Sequence, residues 1–297
     1  MYDRQTDHHA PRALAARFAW LPFLTVALAS GLAHAAADVR TEYADGSLRG
    51  PQVYAGEGFH SVGLVNESAE AVTFNVYRLH DGVGLGAFEQ TDATLQAALQ
   101  AQTDASVAAM QAFMEQADAL GGTVVKARDE TDMFVDLEEG TYVVSASVDG
   151  NDASKPVYTS FMVTEGGDQG TAPEVANVVH LSDFAFDFPA TIAAGENLWE
   201  VSNTGAQPHI AAFFKLLPGK TTADLEAFLN GATDESTPPP FDTGTDLSIE
   251  ALTPGATVYL PLDFSAGTWV AVCFVPDMHD PSTAHYMEGM IEEFVVD

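Results

Sequence analysis

The sequence predicts an all-β protein that consists of two tandem β-sandwiches, each with a helical insertion. Short segments rich in Val, Thr, Phe and Tyr lie between clusters of Gly, Asn, Asp and Pro, as the strands of a sandwich do. The same order of segments occurs twice along the chain, and self-similarity on this scale indicates a domain duplication. The 297 residues, of which 46% are hydrophobic, are enough to build two such cores.

The two copies correspond segment by segment. Each has a turn that ends in Gly-Glu, two strand-like segments, an insertion, an acidic turn before Gly-Thr-aromatic, and a closing strand. The corresponding segments are 51–57 and 189–196, 61–66 and 198–203, 72–79 and 209–216, 136–142 and 263–269, and 161–163 and 294–296. This correspondence predicts one domain over residues 38–165 and a second over residues 176–297. Residues 166–175 lack periodicity and are predicted to form the linker.

The two insertions are predicted to be helical. Residues 91–119 are rich in Ala, Gln and Met, and their apolar residues recur near helical spacing, which predicts one helix or a hairpin of two. We interpret the Met residues there as packing residues rather than ligands, because Met fills irregular gaps in cores. In the second copy, residues 221–230 predict a short capped helix.

The first 37 residues have the pattern of a secretory signal peptide. Arg4, Arg12 and Arg17 precede or flank the start of an uncharged apolar run, and the small residues at 31–35 resemble a cleavage site. The run is short for a membrane span, so an amino-terminal membrane anchor is the less favoured alternative. We therefore expect a soluble mature protein in the periplasm or outside the cell.

The chain is strongly acidic, with 43 Asp and Glu residues against 11 Lys and Arg residues and a net charge of −32. Such a surface repels the phosphate backbone of nucleic acids and the headgroups of anionic membranes. We therefore exclude nucleic acids and anionic membranes as expected partners.

Cys273 is the single cysteine of the chain, so it cannot form an intrachain disulfide. In an oxidising compartment a free thiol is a liability unless something occupies it. Cys273 ends a strand-like segment, and His285 and Met290 follow it before the closing strand. His209 begins another strand-like segment, directly after the turn that contains Asn203. These four side chains supply one thiol, one thioether and two imidazoles.

The pattern resembles that of the cupredoxin family, the blue copper proteins similar to plastocyanin and azurin. In that family one His follows an Asn-x-Gly turn, and Cys, His and Met follow in this order on the loop before the last strand. The resemblance covers residues 177–297 and implies a Greek-key β-sandwich that holds one type 1 copper ion per chain. It implies His209, Cys273 and His285 as equatorial ligands and Met290 as the axial ligand. Such a donor set suits copper that cycles between Cu(I) and Cu(II).

The predicted ligand loop is longer than in the compact members of that family, since eleven residues separate Cys273 from His285. The loop also contains His279, which competes for the position of the second imidazole ligand. Met287 similarly competes with Met290 for the axial position. We favour His285 and Met290 because the four residues between them keep the family spacing.

The N-terminal copy lacks the residues of this pattern. In the alignment of the two copies, Val72 corresponds to His209 and Ala146 corresponds to Cys273. This copy is therefore predicted to be a degenerate cupredoxin-like sandwich without metal. Sandwiches of this kind can lose their copper. The alternative interpretation of the C-terminal copy is therefore a structural domain that no longer binds metal.

The leading functional prediction is an exported electron carrier that passes single electrons between redox partner proteins and is not an enzyme. The sequence contains no G-x-S-x-G or H-E-x-x-H motif and no second ligand set with His-x-His spacing. One alternative is a periplasmic copper storage or delivery protein, with Met278, His279 and Met287 as additional soft ligands. Another alternative is a metal-free tandem sandwich that acts in protein interactions.

Overall fold

The computed structural model describes residues 37–101, 105–148, 155–233, 237–245 and 247–297. The predicted signal peptide lies outside these residues, apart from Ala37. Within the described part of the chain, no helix has both the length and the apolar character that a membrane span requires.

The N-terminal half of the described chain has eight strands and a pair of helices. The strands are β1 Val39–Ala44, β2 Ser47–Arg49, β3 Val53–Asn66, β4 Val72–Leu79, β5 Ala117–Val125, β6 Asp129–Leu137, β7 Gly140–Val148 and β8 Val157–Gly170. The helices, which lie between β4 and β5, are α1 Leu85–Ala101 and α2 Ala105–Met114.

The C-terminal half repeats this arrangement with eight more strands in the described residues. They are β9 Asn177–Ser182, β10 Ala185–Asp187, β11 Gly195–Asn203, β12 His209–Lys215, β13 Ser248–Leu252, β14 Thr257–Phe264, β15 Gly267–Val272 and β16 Ile291–Val296. Helix α3, Thr222–Leu229, follows β12, and a short 3-10 helix, His285–Glu288, precedes β16.

Both halves pair their strands in the same way. β1 is parallel to β3 and β9 is parallel to β11, while β2 and β10 each form a short antiparallel pair with the strand before them. β4 lies between β5 and β7, and β12 lies between β13 and β15, again with antiparallel pairing. This repetition confirms the predicted all-β fold of two tandem sandwiches, each with a helical insertion after its fourth strand.

The register of the central strand pair is also the same in the two halves. Phe74 of β4 faces Ala146 of β7. In the C-terminal half Ala212 faces Val272, the last residue of β15. Cys273, the next residue, therefore comes opposite Ala211, which corresponds to Phe74 in the alignment of the two copies. Ala146 therefore occupies in the N-terminal half the place that Cys273 occupies in the C-terminal half, as the sequence alignment predicts.

A buried asparagine holds the same turn in both halves. The Asn203 side-chain amide donates to the carbonyls of Gln207 and Leu252, each at 2.8 Å, and its oxygen accepts from the Gly205 N–H at 2.9 Å. Asn66 makes the equivalent set of bonds in the N-terminal half. Because these bonds satisfy a buried polar side chain, they fix the turn that leads into β12.

The helical insertion of the N-terminal half is a hairpin of two helices, one of the two forms that the periodicity predicts. Helix α1 begins earlier than predicted, at Leu85. The prediction also placed residues 117–119 in the helical segment, whereas they open β5. Pairing of Ala117 and Ala119 with β4 outweighs the helix propensity of Ala at these positions. In the other half Thr221 caps α3 through a capping box, as predicted.

The predicted linker begins inside a strand, because β8 continues to Gly170 and only residues 171–176 lie between β8 and β9. Residues 166–170 have no apolar periodicity because they are largely exposed, yet the strand continues along β3, with Gly58 facing Gly170. A side chain at Gly167 would lie 2.1 Å from the Ala55 carbonyl oxygen, so this close backbone approach requires glycine. The glycines that indicated a linker are therefore part of the sheet.

The two halves join through their strands as well as through the linker. β6 pairs with β14 through Phe134 and Tyr259, and β5 pairs with β13 through Leu120 and Leu252. Thr253, just after β13, donates to the carbonyl of β5 residue 119 from both its backbone and its side chain. The sheets of the two sandwiches are therefore continuous across the boundary between the halves.

Candidate metal centre

Three buried side chains of the C-terminal half converge on one point. The Nδ1 atoms of His209 and His285 are 3.1 Å apart, and Cys273 Sγ lies 3.9 Å from the first and 3.5 Å from the second. All three side chains are fully buried. Among the described residues, this is the group of His, Cys, Asp and Glu side chains whose donor atoms lie close enough together to hold a metal ion.

Strand ends position these side chains. His209 is the first residue of β12, and Cys273 follows directly after β15. The Cys273 N–H donates to the Met290 carbonyl at 3.1 Å, and its own carbonyl accepts from the Tyr286 N–H at 3.0 Å. The His285 N–H donates to the Val275 carbonyl at 2.9 Å. Backbone bonds thus hold the 3-10 helix of His285 against the end of β15.

The extra length of the ligand loop forms an excursion that closes on itself. Pro276 pairs with Ala284 at its base, and the Asp277 N–H donates to the Thr283 carbonyl at 2.8 Å. The Asp280 side chain accepts from Thr283 Oγ1 at 2.9 Å. The loop can therefore be long without displacing the His residue that follows it.

The structure separates the favoured residues from their sequence competitors. The His279 side chain is 86% exposed and lies 3.3 Å from Asp277 Oδ1, outside the cluster. Met287 is 47% exposed, whereas Met290 is fully buried in the same apolar core as Cys273. The arrangement brings together His209, Cys273 and His285, and the role of Met290 as the axial ligand stays a prediction.

The outer hydrogen bonds of the two imidazoles define their tautomers. His209 Nε2 lies 3.1 Å from Asp183 Oδ1, and because a carboxylate only accepts, this Nε2 carries the proton. His285 Nε2 lies 3.2 Å from Gln207 Oε1, an oxygen that also accepts from the Met278 N–H, so this Nε2 is a donor too. Both Nδ1 atoms therefore direct lone pairs at each other across 3.1 Å.

Sequence reasoning missed Asp183 and Gln207. Asp183, in the turn between β9 and β10, accepts at Oδ1 from the N–H groups of Ala206 and Gln207 as well as facing the imidazole. A side chain at Gly205 would lie 2.4 Å from Asp183 Oδ1 and 2.7 Å from His209 Nε2, so only glycine fits there. The sole sequence signal was the Asn-x-Gly turn, which indicated the turn but not its carboxylate partner.

Gln207 connects the cluster to the excursion of the ligand loop. Its Nε2 donates to Asp277 Oδ1 at 2.8 Å, and both residues are buried. The ring of Phe184 meets the His285 ring edge-on, with 5.3 Å between centroids. Phe184 has a φ of 64°, the left-handed conformation that the two-residue turn between β9 and β10 favours. These contacts close the outer side of His285.

Burial sets the protonation of the cluster. Burial raises the pKa of the Cys273 thiol to about 12, although hydrogen bonds from the Ile210 and Val275 N–H groups act to lower this pKa. Burial, together with the neighbouring imidazole, lowers the pKa of His285 to about 4. Burial also lowers the pKa of His209, against the carboxylate that faces it. Without a metal ion, the cluster therefore consists of a thiol and two neutral imidazoles at pH 7.

This donor set fits a soft transition-metal ion. Two Nδ1 lone pairs and one sulfur face a shared point, and each imidazole donates its other N–H to a fixed oxygen, as metal-bound His residues usually do. A cation at that point relieves the repulsion between the two lone pairs. Thiolate and imidazole together select copper or zinc rather than Mg²⁺ or Ca²⁺.

No family model and no curated protein matches the chain. Similar solved structures include auracyanin from Roseiflexus castenholzii, with 21% identity, 40% of this chain and 94% of that chain covered, and a TM-score of 0.27. Auracyanin A from Chloroflexus aurantiacus, a "blue" copper protein, is 21% identical. The match covers 40% of this chain and 99% of that chain, with a TM-score of 0.25. The blue copper oxidase from Nitrosomonas europaea has 10% identity, covers 86% of this chain and 85% of its own, and has a TM-score of 0.22.

These neighbours include the kind of protein that the sequence resemblance named. They also include an oxidase. That this chain is not an enzyme stays a prediction. At such TM-scores the similarities add no argument about the site, and the assignment depends on the geometry of the site itself.

Proposed function

We propose that this protein is an exported type 1 copper protein that transfers single electrons between redox partners. The observation that carries the proposal is the buried convergence of His209 Nδ1, His285 Nδ1 and Cys273 Sγ. The tautomers of the two imidazoles support it, because both lone pairs point at the same place. Met290, fully buried and next to β16, is the proposed axial ligand.

Copper would supply a centre that gains and loses one electron. The chain's own residues would hold it, exclude water and resist rearrangement. Asp183 and Gln207 fix the two imidazole rings through their Nε2 protons, while backbone bonds to Met290 and Val275 fix the thiol and the second ring. Because the ligands are buried and held by backbone bonds, little has to move when the charge of the centre changes.

The N-terminal half is proposed to bind no metal. Val72 and Ala146 are both buried and offer no donor side chain at the positions that correspond to His209 and Cys273. We therefore expect one copper ion per chain. The redox partners are proposed to be proteins, and the proposed location, periplasmic or secreted, depends on the signal peptide, which lies outside the described residues.

A specific observation favours a second candidate function, copper storage or delivery. His279 on the ligand loop and Met287 just after it are exposed and could pass a soft metal ion to or from the surface. Adding Cu(II) and, in a second titration, Cu(I) to the metal-free protein distinguishes the candidates. A blue protein supports the type 1 site, tight but colourless Cu(I) binding supports storage, and no binding of either ion supports a metal-free interaction module.

Replacing Gly205 by Ala is expected to weaken copper binding by about 10–100-fold, the usual effect of losing an outer partner of a metal ligand. The new Cβ would lie 2.4 Å from Asp183 Oδ1 and would separate it from His209. Gly86→Ala is the matched control, because nothing lies within 4 Å of a Cβ at that position. Competition with a copper chelator measures both affinities, and equal affinities would show that the Asp183 contact does not support the site.

The apparent affinity for Cu(II) is expected to rise about tenfold per pH unit around neutral pH. Binding requires the thiolate of Cys273, whose pKa is raised to about 12 in the metal-free protein, so each copper ion displaces one proton. The imidazoles add no further proton near pH 7, because the pKa of His285 is lowered to about 4 and that of His209 lies below its ordinary value. Calorimetric titration in two buffers of different ionisation enthalpy counts the released protons. Release of none would contradict the thiolate as a ligand.

A further inference from the structure

The helix pair of the N-terminal half builds a second apolar core beside the sandwich. Phe88 of α1 and Phe113 of α2 are buried and lie 5.7 Å apart, and Phe88 also contacts Tyr77 of β4 at 5.0 Å. The buried Asp92 of α1 accepts from the Tyr158 hydroxyl at 2.8 Å, which ties the helices to β8. This helical core, which also contains Leu95, Ala98, Met110 and neighbouring strand residues, is therefore firmly joined to the N-terminal sandwich.

Residues of the C-terminal half pack against this helical core. They are Ala251 of β13 and two residues of the ligand loop, Val275 and Met278. Val275 also packs against the main sandwich core, so the loop lies between two apolar cores. The N-terminal half, which supplies no proposed ligand, thus forms one wall against which the ligand loop packs.

Val275 connects this wall to two of the ligands. Its N–H hydrogen-bonds to the sulfur of Cys273, and its carbonyl accepts from the His285 N–H at 2.9 Å. Val275 therefore contacts the helical core with its side chain and both ligands with its backbone. Its backbone bonds fix the position of the thiol relative to the second imidazole.

Met278 provides a second connection to the metal centre. Its N–H donates to Gln207 Oε1 at 2.7 Å, the same oxygen that lies 3.2 Å from His285 Nε2. A shift of Met278 away from the helical core would therefore reach the imidazole through one amide group. The third ligand is linked through the sheet, because Leu252 pairs with both Leu120 of β5 and His209.

We propose that the N-terminal half is a positioning element of the metal centre, whose helical core packs against Val275 and Met278 and so holds the ligand loop in place. The inference rests on the proposed copper site but goes beyond it, since it assigns a role to the half that carries no ligand. The helical core thereby supports the long ligand loop from outside, in addition to the backbone bonds that close the loop on itself.

The test uses full-length variants with a matched control. Met110→Ala removes a buried side chain from the helical core, Met278→Ala removes the loop side chain that packs on it, and Met278→Leu keeps an apolar side chain there. Met133→Ala is the control, because it deletes the same side chain from the sandwich core of the same half. Denaturant unfolding measures the free energy of unfolding of each variant. An effect on the loop is then separated from an effect on global stability.

The first readout needs no metal. In the metal-free protein, hydrogen exchange of the Val275 and Met278 amides reports the bonds to Cys273 and Gln207. We expect Met110→Ala and Met278→Ala to speed this exchange beyond their effect on global stability, and Met133→Ala and Met278→Leu not to do so. Exchange in the loop that follows global stability alone in all four variants would overturn the proposal.

The second readout is the rate at which copper passes to a chelator. We expect an increase of about tenfold in Met110→Ala and Met278→Ala, in the range seen when the support of a metal ligand is lost. Rates equal to that of Met133→Ala would contradict the positioning role. If the wild-type chain binds no copper, the proposed function fails, whereas the exchange measurement still decides whether the helical core holds the loop.

Discussion

Cys273→Ser is expected to abolish the intense visible absorption of the copper-loaded protein completely. The bond from a thiolate sulfur to copper is the proposed chromophore, and Cys273 is the only thiol of the chain. A serine hydroxyl is a harder donor and stays protonated at neutral pH, so it does not replace the thiolate as a ligand for copper. The visible spectrum after addition of Cu(II) measures the effect.

The fold of the Cys273→Ser variant should survive. A buried hydroxyl without a partner costs about 1–3 kcal/mol, but the N–H groups of Ile210 and Val275 already face this position and can donate to it. Ala146→Ser places the same side chain at the corresponding position of the N-terminal half and should leave the absorption intact. An intense visible band that persists in Cys273→Ser would rule out the proposed thiolate ligand.

His285→Ala is expected to lose the type 1 spectrum, whereas His279→Ala keeps it. The first change removes a fully buried donor 3.5 Å from Cys273 Sγ, and the second removes a side chain that is 86% exposed. Loss of a ligand should reduce copper affinity by more than the roughly 10–100-fold that loss of an outer partner costs. His279→Ala should change affinity by less than that.

The two His variants control for each other, because both delete an imidazole from the same loop. Visible spectra and copper content of the two purified proteins give the comparison. If His279→Ala loses the spectrum and His285→Ala retains it, the loop adopts a different arrangement around the metal and the assignment is wrong.

The sequence predicts the fold well because the duplication places each strand pattern in the chain twice. Where one copy is ambiguous the other supports it, as with Asn66 and Asn203, which make the same hydrogen bonds at the same turn. The cluster was predictable because the order of His209, Cys273 and His285 resembles the cupredoxin pattern, in which one His precedes a loop that carries the other ligands.

Contacts between segments far apart in the sequence could not be predicted in this way. Asp183 is 26 residues before His209 and belongs to another turn, so no spacing rule connects the two side chains. The pairing of Leu120 with Leu252 joins the two halves across 132 residues, and strands that pair across domains look like any other strands in sequence. The glycines in 166–170 were interpreted as a linker, because the close approach of Gly167 and Gly170 to the backbone of β3 is visible only in the folded chain.

The most direct test of the central claim is a titration of the metal-free, full-length protein with Cu(II), followed by its visible absorption. The account predicts an intense blue band that grows with each addition and saturates at one copper ion per chain, because the described residues bring one suitable donor cluster together. A colourless complex, or a band that saturates at two copper ions per chain, would contradict it.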